Sequence, residues 1–410
     1  MNLYIREEYL KRMRGFYHDT DIIKVITGVR RCGKSSIMLM IMDEILNSGV
    51  NIDNCVFIDL DSRKYSKVKT KQDLEELLDS YSNINGIKYV FIDEIQNIKD
   101  FEEVINSFRN DGEYSIFITG SNSYLLSGEL VTKLTGRYIE FEVFTLSFYE
   151  YLEMKKFFSK PVDSNILNEL NNYIIEGGFP KAIQYDSIMD KRSYTKAVVT
   201  EIFEKDIKNR VKVRTLETLN IVKDFIINNY GQTISVLSIQ KGLENAGIKV
   251  KRETISKYID ILVKAKIIYQ CDRFDMKSKR SLKGEKKYYL ADSSFYYSSN
   301  TDNRINYGPA LENVLYTYAR SKKYTVSVGR IGLLECDFIL RDDYLNYAYL
   351  QVAYTILESK KTEDREYTPL EQIKDNYPKY VLTTDFLIQK RNGIIHSNIA
   401  EFIRNNLYFN

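Results

Sequence analysis

Eight residues near the amino terminus, Gly28-Val29-Arg30-Arg31-Cys32-Gly33-Lys34-Ser35, restrict the fold of this chain more than any other stretch. They fit GxxxxGK[ST] at each defined position. Their flanks fit as well: the apolar run KVIT precedes them, and the helical pattern SSIMLMIMDEIL follows. A glycine-rich turn from strand to helix lets backbone N–H groups converge on phosphate, and the helix N-terminus adds the positive end of its dipole. The expected nucleotide-binding set is Gly28, Arg30, Arg31, Cys32, Gly33, Lys34, Ser35 and Ser36. Within it, Lys34 reaches the β- and γ-phosphates and Ser35 ligates Mg2+.

A loop of this kind needs a parallel sheet behind it, and the pattern from Ile22 to about Glu150 predicts one. Short β-rich runs (IIKVITG, CVFIDL, KYVFID, SIFITG, YIEFEVF) alternate with helical stretches at 35–48, 71–82 and 101–110. The middle runs are almost wholly apolar, as strands covered on both faces are. One of them ends in Asp93-Glu94, the form of a Walker B element. Asp93 is expected to orient the Mg2+ shell, and Glu94 to polarise the attacking water as general base. The next strand runs into Ser121-Asn122, where Asn122 could sense the γ-phosphate or a side chain could simply cap a helix. Arg137, in LTGRY, could neutralise transition-state charge from its own subunit or from a neighbour in a homo-oligomer.

Beyond this region the rhythm changes, and four segments are expected: 1–150, an α/β unit bearing the loop; 151–213, a helical lid; 214–298; and 299–410. The second is broken by EGGFP, where Gly-Gly and Pro punctuate the helical pattern. In the third, apolar spacing marks three helices, followed by IIYQCDRF and KKYYLAD as two strands around a basic loop, which suggests a winged helix. Lys249, Lys251, Arg252 and Lys257 bracket its third helix, while Lys277, Lys279, Arg280, Lys283, Lys286 and Lys287 cluster on the hairpin. Such a module docks on double-stranded DNA, although winged helices also serve as plain packing modules. The last segment reads as another α/β unit.

Charge does not decide between these uses: 59 basic residues face 56 acidic ones, so a polycationic coat is excluded and a local patch is not. The four cysteines stand far apart without a CxxC pair, which argues against zinc or disulfides and for a reducing, cytoplasmic setting. The charged N-terminus lacks the apolar region of a secretory signal, and no apolar run reaches the length of a membrane span.

The motifs TGVRRCGKSSI, VFIDEIQ, ITGSNSYLLS, LTGRY, LSFYEYL, EGGFP and FEKDIKNR, in this order, resemble the archaeal and bacterial AAA-type ATPases that carry a C-terminal domain of uncertain function. NYGPALENVLY, ECDFIL, LQVAYTI and REYTPLEQIKDNYPKYVLTTD extend the resemblance over nearly the whole chain. It implies a P-loop core of the additional-strand type, ATP rather than another nucleotide, and Mg2+. It also implies that the C-terminal α/β unit is similar to the PD-(D/E)XK nucleases. On that likeness Glu312 lies on the first helix and Asp337 on the second strand, while Gln351-Val352-Ala353 stands where an active nuclease has an acid, any residue and a lysine. Gln351 is a weak neutral ligand and Ala353 donates nothing, so the nuclease-like unit is expected to be inactive. The function expected from sequence is thus ATP hydrolysis coupled to action on DNA. The alternatives are a signalling or scaffold ATPase with a protein partner, and an active ATP-regulated nuclease.

Overall fold

The computed structural model describes residues 3–120, 134, 136–208, 216–278, 280–300 and 304–410. They form two compact units, 1–143 and 144–410.

In the first unit, strands β1 (Ile23–Thr27), β2 (Cys55–Asp59), β3 (Lys88–Asp93), β4 (Tyr114–Thr119) and β5 (Tyr138–Glu142) form one sheet in the order β2-β3-β4-β1-β5. Each neighbouring pair is parallel. β4 therefore lies between the strand that leads into the phosphate loop and the strand that ends in Asp93, which is the additional strand implied by the resemblance. Helices Lys34–Asn47, Lys71–Asp79 and Phe101–Asn110 are the crossover elements. β1, β3 and β4 are buried along their whole length, which explains their largely apolar reading. Lys24 is the polar exception in β1. Its ammonium donates to Asp19 O at 2.6 Å and to Ser115 Oγ at 2.9 Å, and burial pulls its pKa down to about 7.

The second unit begins with helices Phe148–Phe157, Ile166–Glu176 and Ile188–Glu201. Ser147 closes a capping box with Glu150 at the start of the first of these. The EGGFP segment turns after the second helix, and its glycines are required by close approach. Gly177 has φ 77°, and a Cβ there would fall 1.9 Å from Asp292 Oδ1; a Cβ on Gly178 would fall 2.3 Å from Leu146 O. Asp292 accepts from Gly178 N–H at 2.8 Å and from Ser294 N–H at 3.1 Å, and burial raises its carboxyl pKa. Asp292→Ala leaves buried N–H donors unpaired and is expected to cost about 2–3 kcal/mol. A fall in the urea midpoint of this unit measures it; an unchanged midpoint contradicts it.

Next come helix Leu216–Asn228, a short strand β6 (Thr233–Ile234), helices Val236–Asn245 and Arg252–Lys264, and the hairpin β7 (Ile268–Asp275) and β8 (Arg280–Leu290). Strands β9 (Thr325–Ile331), β10 (Leu334–Arg341), β11 (Tyr347–Val352), β12 (Lys379–Thr383), β13 (Lys390–Arg391) and β14 (Ile394–Asn398) follow. All nine strands from β6 onward share one sheet, ordered β13-β14-β12-β11-β10-β9-β7-β8-β6. The join is the parallel pairing of β7 with β9, Arg273 opposite Val328. Helices Tyr307–Ser321 and Lys360–Glu371 belong to the same unit. Much of the tyrosine content is core here: Tyr289 and Tyr316 stack at 4.4 Å, and both are buried. Among the described residues no helix is long and apolar enough to cross a membrane.

Candidate active site

The loop leaves β1 at Thr27 and enters the helix at Lys34. Three successive departures from ordinary backbone shape it: Gly28 at φ 142°, Arg31 at 68° and Gly33 at 106°. A Cβ on Gly28 would stand 2.1 Å from Val143 O, so only glycine fits between the loop and the end of β5. Two tethers fasten the loop. Cys32 Sγ donates to Val143 O at 3.3 Å, and the buried Arg6 guanidinium donates to Cys32 O at 3.1 Å. Cys32 is thus a structural peg, and burial raises its thiol pKa. The Lys34 ammonium lies over the loop, donating to Gly28 O at 3.1 Å and Val29 O at 3.3 Å. Ser35 is exposed and Ser36 half-buried on the first turn.

Asp93 ends β3 with its carboxylate buried, accepting from the Thr119 hydroxyl. Glu94 follows in the left-handed region at φ 57°, which swings its side chain away from the strand direction. Its N–H donates to Thr119 Oγ1 at 3.2 Å, and its carboxylate accepts from the Gln96 amide. The Arg30 guanidinium lies 3.7 Å from Glu94 Oε2. Because the strands are parallel, loop, Asp93, Glu94 and Thr119 all sit at one edge of the sheet. A serine hydroxyl and a carboxylate are hard oxygen donors of the kind Mg2+ takes, and Lys34 supplies a cation beside them, so the residues fit a magnesium nucleotide.

The model of an AAA domain matches residues 20–152, and that of a domain of unknown function (DUF8612) matches residues 167–303. An uncharacterized protein of Haemophilus influenzae is 34% identical over 388 residues, covering 94% of each chain. The chain belongs to the P-loop AAA-type ATPase family. An uncharacterized protein of Methanocaldococcus jannaschii is 29% identical over 363 residues, 86% of this chain and 79% of that one. Among solved structures, the Walker-type ATPase PABY2304 of Pyrococcus abyssi shares the fold at 15% identity. Its TM-score is 0.51, with 72% of this chain and 95% of that one covered.

Within this P-loop ATPase the structure separates Arg137 from the loop. It precedes β5, its carbonyl accepting from Ile23 N–H at 2.9 Å, and its guanidinium donates to Asn106 at 3.0 Å. That is the opposite edge of the sheet, a strand length of roughly 16 Å away. A role for Arg137 at its own chain's loop is therefore not supported by its position, because a parallel strand begins where its neighbours begin. Asn122 and Ser121 lie outside the described residues. Thr119, which ties Asp93 to the Glu94 backbone, was not foreseen; its signal was only its place as the last strand residue before Gly120.

In the second unit Glu312, Asp337 and Gln351 do converge. Gln351 Oε1 accepts from Asp337 N–H at 2.7 Å and its amide donates to Glu366 at 3.3 Å, while Asp337 Oδ2 accepts from Val352 N–H at 2.8 Å. Burial, reinforced by the Glu312 charge, drives the Asp337 carboxyl well above the usual carboxylate range. The sequence groups Lys287 with the basic hairpin. It is buried instead, with its ammonium 3.0 Å from both Glu312 and Glu335. It is not available to phosphate, because its strand position faces the acidic cluster. Although burial works against it, Lys287 is held above its ordinary pKa by Glu312, Asp337 and Glu335.

Proposed function

We propose that this chain hydrolyses ATP with Mg2+ and couples hydrolysis to work on duplex DNA. The observation that carries the first part is the meeting of Lys34, Asp93 and Glu94 at one edge of a single parallel sheet. Lys34 would bind the β- and γ-phosphates, and Ser35 and Asp93 would hold Mg2+, which supplies charge neutralisation on the phosphates. Glu94 would take the proton of the attacking water. Thr119 would keep the two acids in register.

Support for DNA comes from the order helix, short strand, two helices and hairpin between Leu216 and Leu290, which suits a winged helix. Lys249, Lys251, Arg252 and Lys257 are exposed around its third helix. Steady-state ATP turnover with and without duplex DNA, at low and moderate salt, tests the coupling. Stimulation that fades with salt supports it; indifference to DNA shifts the reading to a protein partner. For that second reading, the exposed run Phe386-Leu387-Ile388 at 61%, 68% and 46% is the favouring observation. If the third helix meets phosphate, reversing Lys251→Glu with Lys257→Glu lowers the slope of log affinity against log salt by about 2. A random-duplex titration across a salt series reads that slope, and an unchanged one sinks the assignment.

No nuclease step is proposed. Gln351 and Ala353 supply neither the second acid nor the lysine of such a site, and Gln351 Oε1 and Asp337 Oδ2 are already engaged by backbone N–H groups of Asp337 and Val352. Plasmid nicking in Mg2+ or Mn2+ that disappears in Asp337→Ala would reverse this reading.

A further inference from the structure

Four loops of the second unit end at one edge of its nine-stranded sheet. β7 runs parallel to β9 with Asp275 opposite Arg330, so the tip of the β7–β8 hairpin lies level with the β9–β10 turn. β10 is antiparallel to β11, and β11 is parallel to β12, so the segments that follow Val352 and Thr383 emerge beside that turn. At neighbouring-strand spacing, the run β7-β9-β10-β11-β12 spreads these tips over roughly 20 Å. The side chains on them are not those of ordinary polar turns. Leu333, on the β9–β10 turn, is 98% exposed. Tyr354 and Leu357 follow β11, and Phe386, Leu387 and Ile388 follow β12, all of them exposed. Lys277 and Arg280 on the hairpin, and Arg330 near the end of β9, are exposed basic residues in the same row. Glu358, beside Leu357, is exposed as well, whereas Asp275 accepts from Lys277 N–H at 3.0 Å and Asp385 from Ile356 N–H at 3.0 Å.

The tips are also braced. Arg330 Nε donates to Gly332 O at 3.0 Å, Thr384 N–H donates to Tyr354 O at 2.9 Å, and Thr355 Oγ1 donates to Asp385 at 2.6 Å. Apolar side chains held out in this way lose little ordering entropy when a surface takes them up. Protruding tips on separate loops do not make the continuous, close-packed centre of a protein interface. They suit a fluid apolar medium, which surrounds each side chain independently of its neighbours. Basic side chains in the same row suit anionic headgroups above that medium. The turn at the other end of β10 supplies the contrast. Tyr344 and Leu345 are exposed there too, but Asp342 and Asp343 precede them, and an anionic surface repels that turn.

We propose that this edge of the second unit docks on an anionic lipid bilayer, with Leu333, Phe386 and Leu387 entering the acyl boundary and Lys277, Arg280 and Arg330 meeting headgroup phosphate. The surface uses none of the nucleotide-site residues and does not depend on how that site is read. Insertion of the apolar tips and attraction of the basic ones contribute separately, so each can be removed without the other.

The chain has no tryptophan, so Leu387→Trp and Tyr344→Trp each give the full chain a single reporter. Both are mixed with vesicles of equimolar phosphatidylcholine and phosphatidylglycerol, and with vesicles of phosphatidylcholine alone. With the charged vesicles, Leu387→Trp is expected to shift its emission to the blue and to be quenched by lipids brominated on the acyl chain. Tyr344→Trp is expected to do neither. In co-sedimentation, Leu333→Asp with Leu387→Asp is expected to weaken binding to the charged vesicles at least about tenfold, and Lys277→Gln with Arg330→Gln by about as much. Tyr344→Asp with Leu345→Asp, at the opposite edge, is expected to change it by less than about twofold. A thermal melt of each variant shows that it folds, and Leu333→Ser with Leu387→Ser replaces the acidic pair if that pair does not. Sedimentation without the blue shift means headgroup attraction alone and overturns the insertion. An equal loss in the Tyr344 and Leu345 variant overturns the assignment to this edge. Absence of binding to either vesicle overturns the proposal and returns the apolar row to a protein partner.

Discussion

Lys34→Ala is expected to weaken ATP binding at least about a hundredfold, or ~3 kcal/mol, because it removes the cation that, on the proposed reading, would face the β- and γ-phosphates. The structure indicates why this should be a binding defect and not a folding defect. The loop's shape is set by Gly28, by the Cys32 contact to Val143 and by the Arg6 contact to Cys32. Among the described residues Lys34 contributes two bonds, both to loop carbonyls. A fluorescent-nucleotide titration beside a thermal melt separates the two effects. An intact melt with lost binding is the expected pair of results. Retained affinity would mean that the nucleotide, if bound, is bound elsewhere.

Glu94→Gln is expected to do the converse: ATP binds at least as tightly, while turnover falls about 10²–10⁴-fold, the usual contribution of a general base. The substitution keeps size and hydrogen-bonding capacity but removes the site that takes the proton. The backbone bond from Glu94 N–H to Thr119 does not depend on the side chain, so the strand end and Asp93 keep their positions. Single-turnover hydrolysis, measured at saturating ATP, isolates the chemical step. Normal turnover in this variant would remove Glu94 from the role, whatever the fate of Lys34. Binding and chemistry thus fail separately in the two variants, which makes them more informative together.

The parts of the site that could be read along the chain are those whose partners are close in sequence. Loop, helix start and the Asp93-Glu94 pair are each a contiguous run with a fixed spacing, and their strands carry a largely apolar signature. Arg137 was legible as an arginine near a motif, but its distance from the loop follows from strand direction, which ends β5 where β1 ends and begins it at the far edge. Lys287 was legible as one lysine among several. Only the pairing of β8 with β7, and of β7 with β9, turns it toward Glu312 and Glu335 and away from solvent.

EGGFP shows the same division. Its glycines announced a turn, but that the turn closes on Asp292, over a hundred residues later, depends on which side chain the rest of the fold delivers there. Tyrosine content alone does not tell core from surface, since Tyr289 and Tyr316 are core residues and Tyr344 is almost fully exposed. What the sequence by itself determined is local: the phosphate loop, the acids that face it and the order of strands and helices, because backbone conformation and periodicity are set by near neighbours. What only the tertiary structure decided is company: Arg30 with Glu94, Thr119 with Asp93, Lys287 with Glu312, since burial and charge pairing depend on segments that meet only after the chain has folded.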